Sequence, residues 1–550
     1  MKKLTDWVNE TKKKRENMKE KNKDPKEQNE QFNSAHSISQ SLTDNLNTIS
    51  KDLGGSADVI IREFELGETD QRKIGVMYTD GLADSTTVQE FVLKTLMIDI
   101  RSAHLENIDF EATTLELLEK HSLSGGQLKK VYNLKNVKQH ILSGDTVLLF
   151  DGETVGLSVA TKGWKQRGVE EPSSQTVVRG PKEGFTESLR TNTALIRRKI
   201  KSDNLWIEQM LIGKETQTDV AILYMKGIAN DKIIKEVKKR LKKIDIDGVL
   251  ESAMIEELIQ DETFTLFPTL YNTERPDVAA SGLLEGRIVI IVDGTPFVLL
   301  APAVFVQFMQ SSEDYYQRSD IASAIRLLRY VAFMLALLVP SAYIAVTTFH
   351  QEMLPTTLLV SLASQREGVP FPAFVEAILM EVTFEILREA GLRMPRAVGS
   401  AISIVGALVL GQAAVEAGII SNVMVIVVAL TAISSFVIPS YNLGMAVRLL
   451  RFLFMLLAAA FGMYGIILGI IILVSHLTSL RSFGVPYLSP IAPSNKEGQR
   501  DSLIRLPIWA LISRPRLISQ KNMIRDETPA PEPNDSTKEP EKSPSGESSK

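Results

Sequence analysis

The sequence predicts an α+β cytoplasmic N-terminal domain of two duplicated lobes, followed by an α-helical multipass membrane domain. Three observations carry that expectation. Residues 56–306 contain an internal repeat, residues after 330 turn into long runs of Leu, Ile, Val, Ala, Phe and Gly, and both ends of the chain are polar and of low complexity. The near-zero mean hydropathy and the formal charge of -4 average two unlike halves and describe neither.

The chain begins with a polar arm, residues 1–55, rich in Lys, Glu, Asn and Gln with interleaved signs. Such a composition buries too little apolar surface to offset its ordering entropy, so the arm is read as disordered or as a partner-binding segment. "MKKLTDWVNETKKKRENMKEK" has no apolar run behind its charges, and no cleavable signal peptide is expected. The protein has no cysteine, which excludes disulfides, thiol catalysis and thiolate metal sites.

The first lobe is assigned to 56–200 and the second to 201–306. "VIIREFELGETDQRKIGVMYTDGLAD", Val59 to Asp84, aligns without a gap above "LWIEQMLIGKETQTDVAILYMKGIAN", Leu205 to Asn230: Gly67 meets Gly213, Gln71 meets Gln217, Tyr78 meets Tyr224, Gly81 meets Gly227, and Ala83 meets Ala229. Each copy reads as strand, polar loop, strand, turn and helix, with Asp84 and Asn230 as N-caps. The copies close alike, on "TVLLFDGETVGLSV" and "IVIIVDGTPFVLLA". An Asp-Gly pair between apolar strands predicts a hairpin with a type I′ turn. The apolar stretch Gly286 to Phe308 is therefore expected to be a soluble hairpin and not a span, since Asp293 and Gly294 at its centre would be costly in hydrocarbon. In "TERPD", Arg275 between Glu274 and Asp277 is expected to form a buried or interdomain charge cluster; Glu285, Arg287, Asp293 and Gly294 belong to the same structural motif.

A connector, 307–329, leads to a membrane domain at 330–480. Tyr330 to Phe349, with a kink expected at Pro340, Ala397 to Val415, Ile419 to Ser440, and Leu449 to Val474 are span-length apolar runs. The last exceeds one crossing and is expected to be tilted or broken. Small residues in "GSAISIVGALVLG" and "AAAFGMYGIILG" allow close helix approach. Between the first two runs, Glu381, Glu385, Arg388 and Glu389 fall on one helical face and Glu376 on the other. That pattern suggests an ion pathway or a bundle-interior pairing network; the alternative is an interfacial helix with a solvated acidic face. Arg326 and Arg329 favour a cytoplasmic N-terminal side. Arg388, Arg393, Arg396, Arg448 and Arg451 and the basic segment 481–526 leave the number of crossings open at four to six. Residues 527–550, rich in Pro, Glu and Ser, form a disordered tail.

"TERPDVAASGLLEGRIVIIVDGTPFVLLAP", "SSEDYYQR" and "ILMEVTFEILREAGLRMPRAVGSAISIVGALVLGQAAVEAGIIS" resemble the GerA family of bacterial spore germination proteins, more narrowly the A subunit of nutrient germinant receptors. The resemblance runs from about residue 55 to 490. It implies a multipass protein of the spore inner membrane with its two-lobed domain on the cytoplasmic side. It also implies a transporter-like B subunit and a lipoprotein C subunit as partners, self-association, and a ligand-gated cation channel releasing monovalent ions. An accessory branch of the family that amplifies ion release is not separated by these motifs.

No enzyme is expected. His36, His104, His121, His140, His350 and His476 have no ligand spacing, so no metal or cofactor is implied. "LSGGQLKK", Leu123 to Lys130, is read as a helix start, because the chain has no phosphate-binding loop to accompany it. "RGPKEGFTE", Arg179 to Glu187, is read as a structural linker. Nothing points to nucleic acid. Membrane lipid is the remaining contact.

Overall fold

The computed structural model describes residues 37–66, 72–89, 128–163, 171–172, 175–393, 411–495, 498–519 and 521–525, with 528 and 531. The first lobe opens on helix α1 (Leu42–Asp52), inside the segment expected to be a disordered arm. Ile38, Leu42, Leu46, Ile49 and Leu53 recur at helical spacing and are buried. The polar average hid this stripe, and ordering entropy is offset by its burial. Strands β1 (Val59–Leu66), β2 (Arg72–Thr79) and β3 (Leu128–Val131), helix α2 (Leu134–Ile141), and strands β4 (Thr146–Phe150) and β5 (Gly156–Val159) complete the lobe. Its sheet is antiparallel, in the order β1-β2-β4-β5-β3. "LSGGQLKK" therefore ends in a strand, not in a helix start, and its first residues lie outside the described ones. The loop carrying Gly67 and Gln71 is also outside them.

The second lobe repeats this order with helix α3 (Leu189–Lys199), strands β6 (Leu205–Ile212) and β7 (Thr218–Met225), helices α4 (Asp231–Lys243) and α5 (Ser252–Ile259), strand β8 (Tyr271–Thr273), helix α6 (Pro276–Leu284), and strands β9 (Ile288–Val292) and β10 (Val298–Ala301). The sheet runs β6-β7-β9-β10-β8. Val59 pairs with Thr79 as Leu205 pairs with Met225, and Ile74 with Phe150 as Val220 with Val292.

The repeat extends to side chains. Asn45 bonds both backbone groups of Ser39, its Oδ1 accepting the N–H and its amide donating to the carbonyl; Asn192 does the same to Thr186. Asp151 Oδ1 accepts the Leu42 N–H at 3.0 Å, and Asp293 Oδ1 accepts the Leu189 N–H at 2.8 Å. Both Asp-Gly pairs thus sit at hairpin ends and anchor the first turn of each lobe's leading helix. They are not type I′ turns. Five residues separate the strands, and only Gly152 (φ 84°) and Gly294 (φ 90°) take positive φ. The aspartates are committed to the helix instead.

Strand β9 explains why Gly286 to Phe308 resembles a span. Val289 and Ile291 face one core while Ile288, Ile290 and Val292 face another, so no position is left for a polar side chain. The expectation of a hairpin is met.

The lobes are joined through Arg197 on α3, fully buried, whose Nε and Nη2 donate to Asp58 at 2.7 and 3.0 Å; Nη2 also donates to Ser56 Oγ at 2.9 Å. Gly54 (φ 69°) lies flat against the Trp206 ring, where a Cβ would stand 2.1 Å from it.

Helix α7 (Ser319–Thr348) begins eleven positions before the expected boundary at 330, so Arg326 and Arg329 are helical, and Pro340 lies within it. Helices α8 (Thr356–Arg366), α9 (Ala373–Arg393), α10 (Asn422–Phe436) and α11 (Tyr441–Ser479) follow. Of the expected span Ala397 to Val415, residues 397–410 lie outside the described ones. The expected span Ile419 to Ser440 is a helix of 15 residues, started by the Ser421 cap and ended ahead of Pro439. At about 1.5 Å per residue it is shorter than a hydrocarbon core of about 30 Å. By length and composition α7 and α11 are long and apolar enough to cross a membrane.

Helix α11 is two antiparallel arms. Gly462 (φ 59°, ψ -140°) breaks it, and a Cβ on Gly469 would stand 2.8 Å from the Phe454 ring. In a continuous helix those positions would be about 22 Å apart. Gly465 and Gly469 permit this closeness. The turn at Gly462 sits on Phe349 and His350, at the end of α7 remote from the lobes. The second arm therefore returns to the soluble domain.

There the basic segment packs against the second lobe and the base of α7. Ser482 Oγ donates to the Thr269 carbonyl (2.6 Å) and accepts the Ala303 N–H (2.9 Å), and the Phe305 N–H donates to the Tyr487 carbonyl (2.8 Å). Arg326 donates to Asp314 (3.1 Å) and Asp501 (2.9 Å), and Arg329 to Asp314 (2.8 Å). The C-terminal segment and the N-terminal domain form one body.

Candidate functional site

Helix α9 starts after the Val369–Pro372 stretch, where two prolines disfavour earlier helix. It packs against α7, α10 and α11. Ala373, Glu376, Ala377 and Glu381 are its buried positions. Glu376 and Glu381 point about 140° apart on a helix, yet both are enclosed, because neighbours cover the helix on two sides. The expected grouping of Glu381, Glu385, Arg388 and Glu389 on one face, with Glu376 alone, is thus redrawn.

Glu376 Oε1 accepts the Ser421 N–H at 2.6 Å and the Ser421 hydroxyl, while Oε2 lies 3.9 Å from Arg366 Nε. The carboxylate sits on the N-terminus of α10, where the helix dipole favours negative charge. Glu381, fully buried, accepts from Arg451 Nη1, itself buried. One turn on, Glu385 Oε2 lies 3.3 Å from Arg448 Nη1 and 3.4 Å from Arg388 Nη2. Glu389 does not join: it is exposed and, among the described residues, pairs with Arg393 at 2.8 Å. Among the described residues, Glu381 Oε1, Glu385 Oε1, Glu376 Oε2, and Arg451 Nε and Nη2 have no hydrogen-bond partner.

This row of carboxylates threads helices that are otherwise apolar, and an arginine answers each one. Chemically it can hold charge inside the bundle, exchange partners, or bind a cation that displaces an arginine. Arg448 and Arg451, read from sequence only as indicators of orientation, are the counter-ions of α9. Their spacing of three on α11 against the spacing of four of Glu381 and Glu385 was a legible signal. Ser421 and Arg366 carried none. Arg326 and Arg329, also read as orientation signals, are neutralised by Asp314 and Asp501.

The other predicted cluster is structural. Arg275 is buried and forked onto Asp277 (Nη2 2.7 Å, Nε 3.1 Å), and it donates to the carbonyls of Gln175 (3.1 Å) and Pro181 (2.9 Å). Tyr316 donates to Asp277 at 2.6 Å. The cluster holds the linker 175–187 and the connector to the second lobe. Burial and the Asp277 charge raise the Tyr316 phenol far above its usual range. Glu274 contributes its backbone carbonyl, which accepts the Phe185 N–H at 2.7 Å. Arg287 lies 3.3 Å from Glu285 and donates to the Pro302 carbonyl at 2.5 Å. His140 pairs with Asp145 (2.9 Å) and His476 with Thr265 (2.9 Å); no cluster suited to a metal occurs among the described residues.

The family model described as Bacillus/Clostridium GerA spore germination protein matches residues 47–517. Spore germination protein KA of Bacillus subtilis (strain 168) is 53% identical over 497 residues, 90% of each chain. Spore germination protein B1 of the same strain is 42% identical over 488 residues, 89% of this chain and 99% of that one. Among solved structures, the N-terminal domain of the A subunit of the Bacillus megaterium spore germinant receptor GerK3 is 43% identical, with a TM-score of 0.39, covering 50% of this chain and 98% of that one.

Proposed function

Because the chain belongs to the GerA family of spore germination proteins, we propose that it is an A subunit whose helices line a cation path through the spore inner membrane. The observation that carries this reading is the row Glu376, Glu381 and Glu385 inside apolar helices. Ionisable groups are expensive there and are retained where ions or protons pass. In the resting arrangement the arginines occupy the carboxylates. Opening requires that Arg448 and Arg451 move off, and a transporter-like B subunit with bound nutrient supplies the differential binding energy that a change of state demands. A lipoprotein C subunit completes the receptor, and several copies of this chain surround the path.

The two-lobed domain lies on the core side of the membrane. With the N-terminal domain and the C-terminal segment in one body, the number of crossings is even. Helix α7 and the two arms of α11 supply three of these crossings.

A second reading is favoured by the pairing itself. A bundle in which every buried carboxylate is matched is a neutral scaffold, and another subunit would then carry the ions. An accessory channel that amplifies release without sensing nutrient rests on the same residues. The test is potassium efflux from liposomes holding this chain alone and then with its two partners. Germinant-dependent efflux from the full set, altered by Glu381→Gln or Glu385→Gln with assembly intact, supports the path. Efflux indifferent to both substitutions assigns the chain to the scaffold.

A further inference from the structure

We infer that the groove between the second lobe and the end of α11 binds the phosphate headgroup of an anionic phospholipid, with Phe264 set into the acyl boundary beside it. This rests on the reading that α11 crosses the membrane.

The groove, of about 830 Å³, is walled by α4, by the loop after α5, and by residues 476–484 where the second arm of α11 ends. Its depth follows from helix geometry. The turn at Gly462 touches Phe349 and His350, and from there the arm rises about 25 Å to Ser479 at about 1.5 Å per residue. Measured from the far edge of a hydrocarbon core of about 30 Å, that rise brings the end of the arm to within about 5 Å of the near headgroups.

Phe264 is 93% exposed and Leu266 47%. A loop that presents two large apolar side chains to solvent leaves burial energy unused, about 25 cal/mol per Å². This loop is fixed: Thr265 Oγ1 lies 2.9 Å from His476 Nε2, and Phe267 packs on His476 and Tyr487 with ring centroids 6.4 and 6.5 Å apart. It is thus tied to the membrane helix at the depth where an aromatic side chain is favoured.

The charges on the rim are unequal in their commitments. Arg240 is held by Glu236 (2.9 Å) and Asp261 (2.6 Å), and Asp261 also accepts the Phe483 N–H. Lys232 and Arg481, both exposed, make no ion pair among the described residues, against one acid that makes none either, Glu262, whose Oε1 accepts the Phe264 N–H at 3.4 Å. Along α4, Lys235, Lys242 and Lys243 extend the positive face. Two free cations beside an exposed aromatic, at the water edge of a bilayer, match a phosphodiester with its acyl chains.

The test uses the full-length chain with Phe264→Trp in phosphatidylcholine vesicles containing phosphatidylglycerol. Bromine is placed on the acyl chains of either one lipid or the other at equal mole fraction, and quenching is read against the parent chain. Ile471→Trp, at an exposed position on the second arm of α11, reports the membrane reading separately. Brominated phosphatidylglycerol should quench Phe264→Trp about twofold or more over brominated phosphatidylcholine, and Lys232→Glu with Arg481→Glu should abolish the preference. Equal quenching by both lipids overturns the headgroup site. No quenching, with Ile471→Trp quenched, leaves the loop to water or a protein partner and overturns the proposal whole. Neither position quenched refutes the crossing of α11 and the proposal with it.

Discussion

Arg197→Ala should separate the two lobes energetically without touching the helical domain. The guanidinium makes a two-pronged contact with Asp58 at 2.7 and 3.0 Å and also holds Ser56 Oγ (2.9 Å) and the Ser202 carbonyl (3.3 Å). Both side chains of the pair are almost wholly excluded from water. Truncation leaves the Asp58 charge buried and unanswered, a situation that costs about 3–5 kcal/mol. Against a total stability of about 5–15 kcal/mol, this is a large fraction, and at about 2–4 °C per kcal/mol it lowers the unfolding midpoint by roughly 6–20 °C. Trp206 is a reporter in place, because its ring lies against Gly54 at the same seam. Its fluorescence during thermal unfolding of the full-length chain reads the loss. The double substitution Arg197→Met with Asp58→Leu removes both charges and should recover more than half of it, since a matched apolar pair avoids the desolvation cost. A single substitution that costs under about 1 kcal/mol, or a double one that costs the sum of its parts, would refute the reasoning.

Four further outcomes are expected. Asp293→Ala should destabilise the second lobe by about 1–2 kcal/mol, and Asp151→Ala the first by a similar amount, because each loses one charge-assisted bond at a helix start; denaturant titration of each variant compares them. Burial and the Glu251 charge push the Glu256 carboxyl up to about 7. The folded state therefore favours the protonated form, and that contribution, present below about pH 4.5, is lost as pH rises through about 7. Glu256→Gln should match the parent near pH 4.5 and exceed it at pH 8 by about 1–3 kcal/mol in midpoint measurements. Gly462→Ala forces a Cβ against His350 at a backbone angle alanine avoids, costing about 1–3 kcal/mol and lowering the melting temperature of the purified chain. Glu376→Ala should cost about 1–2 kcal/mol through the lost cap on α10, whereas Glu389→Ala, at an exposed pair, should be nearly silent.

The sequence by itself determined what depends on local spacing. The offset between Val59 and Leu205 predicted two lobes of one topology, and the paired Asp-Gly turns predicted that Gly286 to Phe308 folds as a hairpin. The length of Leu449 to Val474 foretold a tilted or a broken helix, and the break falls at Gly462. These signals are periodicities and turn residues, which act between near neighbours and survive without tertiary context. Only the tertiary structure decided which polar groups meet. Glu376 and Glu381 share the interior because α10 and α11 cover α9 on two sides, and no helical projection of α9 alone contains its neighbours. Arg326, Arg329, Arg448 and Arg451 looked like markers of membrane orientation until Asp314, Asp501, Glu385 and Glu381 were placed beside them. Helix α1 escaped notice because a five-residue apolar stripe is diluted in a polar average, and its burial appears only once the sheet it covers exists. The same holds for the aspartates of the Asp-Gly turns. Their commitment to Leu42 and Leu189 joins residues about a hundred positions apart, brought together by the antiparallel closure of each lobe and by nothing in the local sequence.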